Sequence, residues 1–127
     1  MTVHDEVLAT LNALCEGAGV REDDDGDFRV VLGECTRWVR TIESPAAVYV
    51  FGSVATDVPR SAEVDEFLND RNKSYVVFRA LWEDEEIILR ADLMAQPFVP
   101  GQLQVALEDF EQVAAELAPD ACEWSRS

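Results

Sequence analysis

The acidic run Glu22–Asp27 is the densest group of side chains in the sequence that could bind a metal ion. Carboxylate oxygens are the ligands that calcium prefers, and an EF-hand loop arranges them around an obligatory glycine. With Gly26 at that position, the first and twelfth ligand positions fall on Arg21 and Leu32, which cannot bind calcium. We therefore interpret the run as a solvated turn between two strands and expect no metal site.

Side chains for acid–base or nucleophilic catalysis do not form a recognisable set. His4 is the single histidine and lies at an N-terminus expected to be mobile, so one chain cannot supply a histidine-based triad. No pair of carboxylates has an apolar setting that would separate two pKa values. Glycine-rich phosphate-binding motifs and GxSxG are missing from the sequence. We expect no catalytic residue, no cofactor and no enzymatic activity.

The three cysteines, Cys15, Cys35 and Cys122, are odd in number, widely separated and free of CxxC spacing. This pattern indicates neither a disulfide framework nor a zinc site, so we expect reduced thiols. The N-terminus carries acids where a signal peptide needs cations, and the apolar runs are too short to span a bilayer. Together these features predict a cytoplasmic protein.

The predicted strands Tyr75–Trp82 and Glu86–Met94 have apolar side chains on both faces. Alternate residues of a strand point to opposite faces, and three helices are too few to cover two faces. One face should therefore need a second subunit, a peptide or a flanking helix as cover, and we favour a subunit or a peptide. The candidate residues on that face are Tyr75, Val77, Arg79, Leu81, Ile88 and Arg90.

The surrounding elements follow the order α-β-β-β(-β)-α-β-β-α, which predicts a single α+β domain over residues 1–127 with an antiparallel sheet and three helices. The first helix, Asp5–Ala18, has a possible capping box in Thr2 and Asp5. Strands follow at Val20, at Phe28–Leu32, at Thr36–Glu43 and at Ala47–Val54, joined by turns that include Gly33–Glu34 and Ser44–Pro45.

Glycine, asparagine and proline set the expected ends of the later helices. A middle helix over Asp57–Asn72 begins with Pro59 in its first turn and ends in two asparagines that suit C-terminal caps. The last helix carries an apolar stripe from Leu103 to Leu117, and Pro119 is expected to close it. Residues 121–127 are then expected to form a mobile tail.

Net charge limits the partners. Twenty-six acidic against ten basic residues give a formal charge of -16, which repels phosphate backbones and anionic lipids. We therefore expect no nucleic acid and no membrane as partner. The surplus acid keeps the protein soluble and could steer basic partners. One lysine against nine arginines hints at a GC-rich bacterial genome.

The order and spacing of five segments resemble those of the YbjN proteins and of the class I type III secretion chaperones. The segments are an opening LNAL helix, the turn and strand DDDGDFRVVL, the helix end LNDRN, the hairpin FRALWEDEEIILRADL and the closing helix VALEDFEQVAAELAP. The resemblance covers almost the whole chain. It implies the fold of small acidic dimers that bind an unfolded, extended segment of another protein.

We transfer the fold and the binding mode from this resemblance, but not a role in secretion. The leading hypothesis is a non-catalytic, homodimeric, chaperone-like module that recognises an extended or partly unfolded protein segment. A regulatory adaptor that docks on a folded partner is the second hypothesis, with its acidic surface supplying electrostatic steering. An enzyme of unrecognised type is the third.

Overall fold

The computed structural model describes residues 2–15, 19–32 and 35–126. Nine elements follow one another in the predicted order, and the first sheet segment contains four strands. The elements are α1 (Val3–Cys15), β1 (Val20–Glu22), β2 (Phe28–Leu32), β3 (Cys35–Glu43), β4 (Ala46–Ala55), α2 (Ala62–Asn72), β5 (Phe78–Glu83), β6 (Glu86–Met94) and α3 (Pro100–Cys122). The predicted end of the first helix at Ala18 lies outside the described residues, and so does the predicted turn at Gly33–Glu34.

All six strands form one antiparallel sheet in the order β1-β2-β3-β4-β6-β5. The first four strands are a meander, in which each strand pairs with its chain neighbour. The chain then crosses through α2 and returns at the far edge, so that β6 pairs with β4 and β5 becomes the edge strand. The predicted second hairpin is thereby joined to the meander as one continuous surface.

One side of the sheet, the core face, packs against the helices. Its central side chains are fully buried because alternate strand residues meet apolar residues of α1 and α3. The strands contribute Phe28, Val30, Val39, Val48, Val50, Phe78, Ala80, Ile87, Leu89 and Ala91; α1 contributes Val7 and Leu11, and α3 contributes Leu103, Leu107, Phe110 and Leu117. α2 adds Val64 and Leu68, so the core lies between this face and three helices.

Two predictions about the middle of the chain need correction. The helix expected from Asp57 begins at Ala62, because the Ser61 side chain caps it by accepting a hydrogen bond from the Val64 amide. Pro59 precedes this helix, where its fixed backbone fits the extended approach. The strand expected from Tyr75 begins at Phe78, where pairing with Ala91 of β6 starts.

Pro119 does not close the last helix. It lies inside α3, which continues to Cys122 and buries Leu117 and Ala121 on either side of the proline. A proline removes only one helical donor, and the packing of the following turn offsets that loss. Residues 121–126 also make contacts that a free tail would lack, since Arg126 lies 2.7 Å from carboxylates of both Asp57 and Glu85.

The N-terminal region contains the predicted capping box. The Thr2 hydroxyl accepts a hydrogen bond from the Asp5 amide at 3.1 Å, and the Asp5 carboxylate accepts one from the Thr2 amide at 3.3 Å. These hydrogen bonds lower the pKa of Asp5. The expected mobility of His4 is not matched by its contacts, because its ring stacks on Phe28 and lies 3.0 Å from the Thr41 hydroxyl.

Candidate functional site

The other side of the sheet, the open face, has side chains that do not join the core. Trp38 and Phe51, on the two central strands of this surface, are half-buried against their neighbours but are not packed with the helix residues. The same half-buried state outside the core is found for Tyr49, Leu81 and Ile88. The open face is therefore a second apolar surface of the sheet, distinct from the core.

A single cross-strand row runs over all six strands of the open face. The register pairs Arg21 with Arg29, Arg29 with Trp38, Trp38 with Phe51, Phe51 with Arg90, and Arg90 with Arg79. Directly opposed side chains in an antiparallel sheet lie on the same face, within contact distance of one another. The row, named the arginine–aromatic row below, therefore has two arginines at each end and two aromatic rings in its middle.

Two arginines of the open face, Arg40 and the row member Arg90, lie over aromatic rings. The guanidinium of Arg40 lies over the Phe51 ring, 5.0 Å from its centroid, and that of Arg90 lies 4.8 Å from the centroid of Tyr49. Such cation–π contacts favour flat stacking of the guanidinium on the ring. The result is a continuous surface of planar groups across the middle of the sheet.

Two of these arginines are also fixed by carboxylates. Arg40 donates two hydrogen bonds to Asp27, at 3.0 and 2.9 Å, and Arg90 Nε lies 2.7 Å from Asp92. The hydrogen bond to Asp27 is the main reason that the pKa of Arg40 is raised above its ordinary value. Both guanidinium groups therefore stay charged and have restricted orientations.

The predicted site residues fall into two groups. Register pairs Arg79 with Arg90 and Leu81 with Ile88, so these four lie together on the open face, as expected from alternation. Val77 precedes β5 and lines a groove beside α3. Tyr75 also precedes β5; it is half-buried against the core, and burial raises the pKa of its hydroxyl.

Sequence reasoning missed the part of this face that belongs to the meander. Trp38, Tyr49 and Phe51 alternate with the buried residues Val39, Val48 and Val50, so the same two-faced pattern was present in β3 and β4. What alternation alone did not reveal was that β4 pairs with β6. That long-range pairing brings the meander and the hairpin onto one surface.

A second surface feature, the valine groove, lies between the N-terminal half of α3 and the ends of β5 and β6. It has a volume of about 810 Å³. All five large apolar side chains that are exposed among the described residues line it: Val76, Val77, Met94, Val99 and Val105. Its charged lining residues are Asp92 and Asp109. The groove is therefore apolar in its walls and weakly acidic at its rim.

Across residues 2–15, 19–32 and 35–126, no cluster of three or more His, Cys, Asp or Glu side chains could hold a metal ion. In the acidic turn, the Asp23 carboxylate instead accepts hydrogen bonds from the backbone amides of Asp25 and Asp27, both at 3.0 Å. Within the same described ranges, no helix is both long and apolar enough to cross a membrane.

The fold is that of the type III secretion chaperones. A chain in the crystal structure of the ExsC–ExsE complex matches with a TM-score of 0.76 and 13% identity, over 96% of this chain and 98% of that chain. A chain in the crystal structure of the Yersinia pestis type III secretion chaperone SycH with a stable fragment of YscM2 matches with a TM-score of 0.65 and 15% identity, over 91% and 99%. The predicted α+β class is thereby confirmed.

The chain belongs to the family described as T3SS (YopN, CesT) and YbjN peptide-binding chaperone 1, whose model matches residues 2–123. This confirms the resemblance that the five sequence segments suggested. The family is one of peptide-binding chaperones, in agreement with the prediction that the protein is not an enzyme. No curated protein matches the chain.

Proposed function

We propose that this protein is a non-catalytic, homodimeric chaperone of the cytoplasm that holds an extended or partly unfolded protein segment on the open face. The observation that carries the proposal is the arginine–aromatic row, which leaves Trp38 and Phe51 outside the core. Membership in a family of peptide-binding chaperones supports the same function.

The chemistry of the open face suits an unfolded client. Aromatic rings offer a large apolar area to side chains of many shapes, at a small cost in conformational entropy. Arginine donors can reach both the carbonyl groups and the carboxylates of an extended chain. A flat face with such groups grips a segment without needing a deep pocket, in contrast to a small-molecule site.

Binding of labelled peptides tests the proposal directly. We expect fluorescence anisotropy to show that Trp38→Ala combined with Phe51→Ala weakens the binding of extended peptides by about tenfold or more, as loss of a central aromatic anchor does. Asn12→Ala, a truncation on the exposed side of α1, is the control. Circular dichroism should show both variants folded, because none of the three side chains belongs to the core.

Equal affinity of the wild type and the open-face variant would contradict the proposed binding face. Binding only of a folded protein, with no affinity for unfolded segments, would instead identify the chain as an adaptor. In that case the arginine–aromatic row would be part of the interface with that folded protein.

For the homodimer we propose the valine groove as the contact surface. Two copies placed open face to open face would bring arginines against arginines, and opposed like charges destabilise an interface. The groove is lined by no cation, and Val76 and Met94 are 98% and 73% exposed there. An exposed apolar cluster of this kind is typical of an interaction site.

Sedimentation velocity tests the dimer. We expect the wild type to sediment as a dimer at about tens of micromolar, where interfaces of standard size usually hold. Val76→Glu should shift it to a monomer by placing a charge in the apolar contact. Ala9→Glu adds the same charge on the exposed side of α1 and should leave the dimer intact. A wild-type monomer, or a dimer that survives Val76→Glu, would disprove this interface.

A further inference from the structure

The charge of the open face is opposite to that of the whole chain. Five of the nine arginines lie on it, although the formal charge of the protein is -16. Arg21, Arg29 and Arg79 are exposed, and they form no ion pair with any residue in the described ranges. These three cations are therefore available to a partner.

The acids on this face do not neutralise those three arginines. Asp92 is paired with Arg90, and Asp27 with Arg40. Glu83 and Glu86 lie opposite each other at the turn end of β5 and β6, and neither forms an ion pair with any of those three arginines. The ends of the arginine–aromatic row thus remain positive, while its middle is apolar.

We propose that the client segment is acidic: an extended stretch of another protein in which carboxylate side chains flank one or two large apolar residues. This inference rests on the proposed function and specifies its partner. The apolar residues would lie on Trp38 and Phe51. The carboxylates on either side would meet the available arginines at the two ends of the row, Arg21 and Arg29 at one end and Arg79 at the other.

Geometry sets the length and direction of the bound segment. Six strands at 4.7–4.9 Å spacing make the row roughly 24 Å long, and an extended chain rises about 3.3 Å per residue. About seven residues crossing the strands would therefore span the row. Guanidinium groups recognise carboxylates by paired, charge-assisted hydrogen bonds, which makes each end of the row selective for Asp or Glu.

Other occupants fit this face less well. A second copy would oppose arginines to arginines. A single-stranded nucleic acid could stack on the aromatic rings, but it carries a phosphate at every nucleotide, whereas the available cations of the row lie only at its two ends. A lysine-rich segment would be repelled by the row itself.

Three labelled peptides of equal length separate these cases. The first has Glu, Leu, Leu and Glu at alternate positions, so that all four side chains lie on one side of the extended chain. In the other two, Gln or Lys replaces Glu. By fluorescence anisotropy at low salt, we expect the Glu peptide to bind tightest and the Lys peptide weakest. Arg29→Gln combined with Arg79→Gln should weaken binding of the Glu peptide by about twofold to thirtyfold, the range for two exposed ion pairs, and leave binding of the Gln peptide unchanged. The control Lys73→Gln, at the end of α2, should change the affinity for neither peptide.

Two results would overturn the acidic preference while leaving the peptide-binding function intact. One is an equal affinity of the wild type for all three peptides, combined with loss of that affinity in the Trp38→Ala variant. The other is tighter binding of the Lys peptide. If a labelled oligothymidine competes better than the Glu peptide, the face binds single-stranded nucleic acid, and both this inference and the proposed function fail.

Discussion

Asp27 differs from the other carboxylates of the acidic turn because it is buried. Its side chain is 8% exposed and accepts two hydrogen bonds from Arg40, whose guanidinium also lies over Phe51. The turn therefore does more than reverse the chain: it ends in an acid that orients an arginine of the open face. A residue predicted only as part of a solvated turn thus supports the candidate site.

Asp27→Asn should lower the free energy of unfolding by about 1–2 kcal/mol. Hydrogen bonds to a charged group contribute about 1.5–3 kcal/mol to stability, and solvent screening at the half-exposed Arg40 reduces that contribution. Urea unfolding measures the change. Asp24→Asn, in the exposed part of the same turn, should change stability by less than about 0.5 kcal/mol. Equal effects of the two substitutions would show that the Asp27–Arg40 pair contributes nothing.

At the scale of elements, the end of α2 protects the edge of the sheet. The Asn72 side chain donates to the Ala80 carbonyl at 2.9 Å and accepts from the Ala80 amide at 2.7 Å. It thus pairs one residue of β5 as a neighbouring strand would. The interpretation of this asparagine as a C-terminal cap was wrong, since Lys73 caps the helix in an ordinary right-handed conformation.

Asn72→Ala should destabilise the protein by about 1–3 kcal/mol, because it leaves two polar groups of the buried Ala80 without partners. Asn69→Ala on the exposed side of the same helix provides the control, with an expected change within about 0.5 kcal/mol. Chemical denaturation followed by circular dichroism compares them. If both variants have wild-type stability, water replaces the amide at this edge.

Close packing of β4 against α3 depends on Gly52. A Cβ atom built at this position would lie 2.8 Å from the Phe110 ring, which is itself buried. Gly101, in the first turn of α3, has open space around it. Glycine at position 52 is therefore required by the neighbouring Phe110 side chain, whereas no neighbouring atom requires glycine at position 101.

Gly52→Ala should lower the free energy of unfolding by about 1–3 kcal/mol, the usual cost of overpacking. Gly101→Ala should raise it by about 0.4–1 kcal/mol, since alanine reduces the entropy of the unfolded chain without a clash. Thermal or urea unfolding gives both values. A stable Gly52→Ala protein would mean that Phe110 moves aside at little cost.

At the scale of the whole molecule, a charge of -16 opposes compaction through self-repulsion. Acids are dense on the solvent side of α3, where Glu108, Asp109, Glu111 and Glu116 surround the exposed Gln112. Salt screens such repulsion over distances near the Debye length. Stability should therefore depend on ionic strength.

We expect the midpoint of thermal unfolding to rise by a few degrees when NaCl increases from about 50 to about 500 mM. Gln112→Lys should raise the midpoint at low salt and lose this advantage at high salt, because it relieves repulsion along α3. Differential scanning calorimetry can follow both. A midpoint that falls with salt would show that attractive ion pairs outweigh repulsion.

Much of the architecture was predictable because it depends on local chemistry. Period-two and period-3.6 patterns located the strands and α3, and the Thr2–Asp5 spacing predicted the capping box. Errors occurred where a local signal competed with packing. Pro119 looked like a helix end, yet the buried Ala121 holds the next turn in place.

The candidate site was predictable only in part. Alternation placed Arg79, Leu81, Ile88 and Arg90 on one face, because side-chain direction along a strand is a local property. It could not place Tyr75, which precedes β5 and turns towards the core.

By itself, the sequence determined the α+β class, the acidity and the two-faced character of the second hairpin. Only the tertiary structure decided that β6 pairs with β4, because that contact joins residues far apart in the chain and has no local signal. The pairing turns separate arginines and aromatic rings into one row across six strands. The candidate client-binding face is a product of this long-range register.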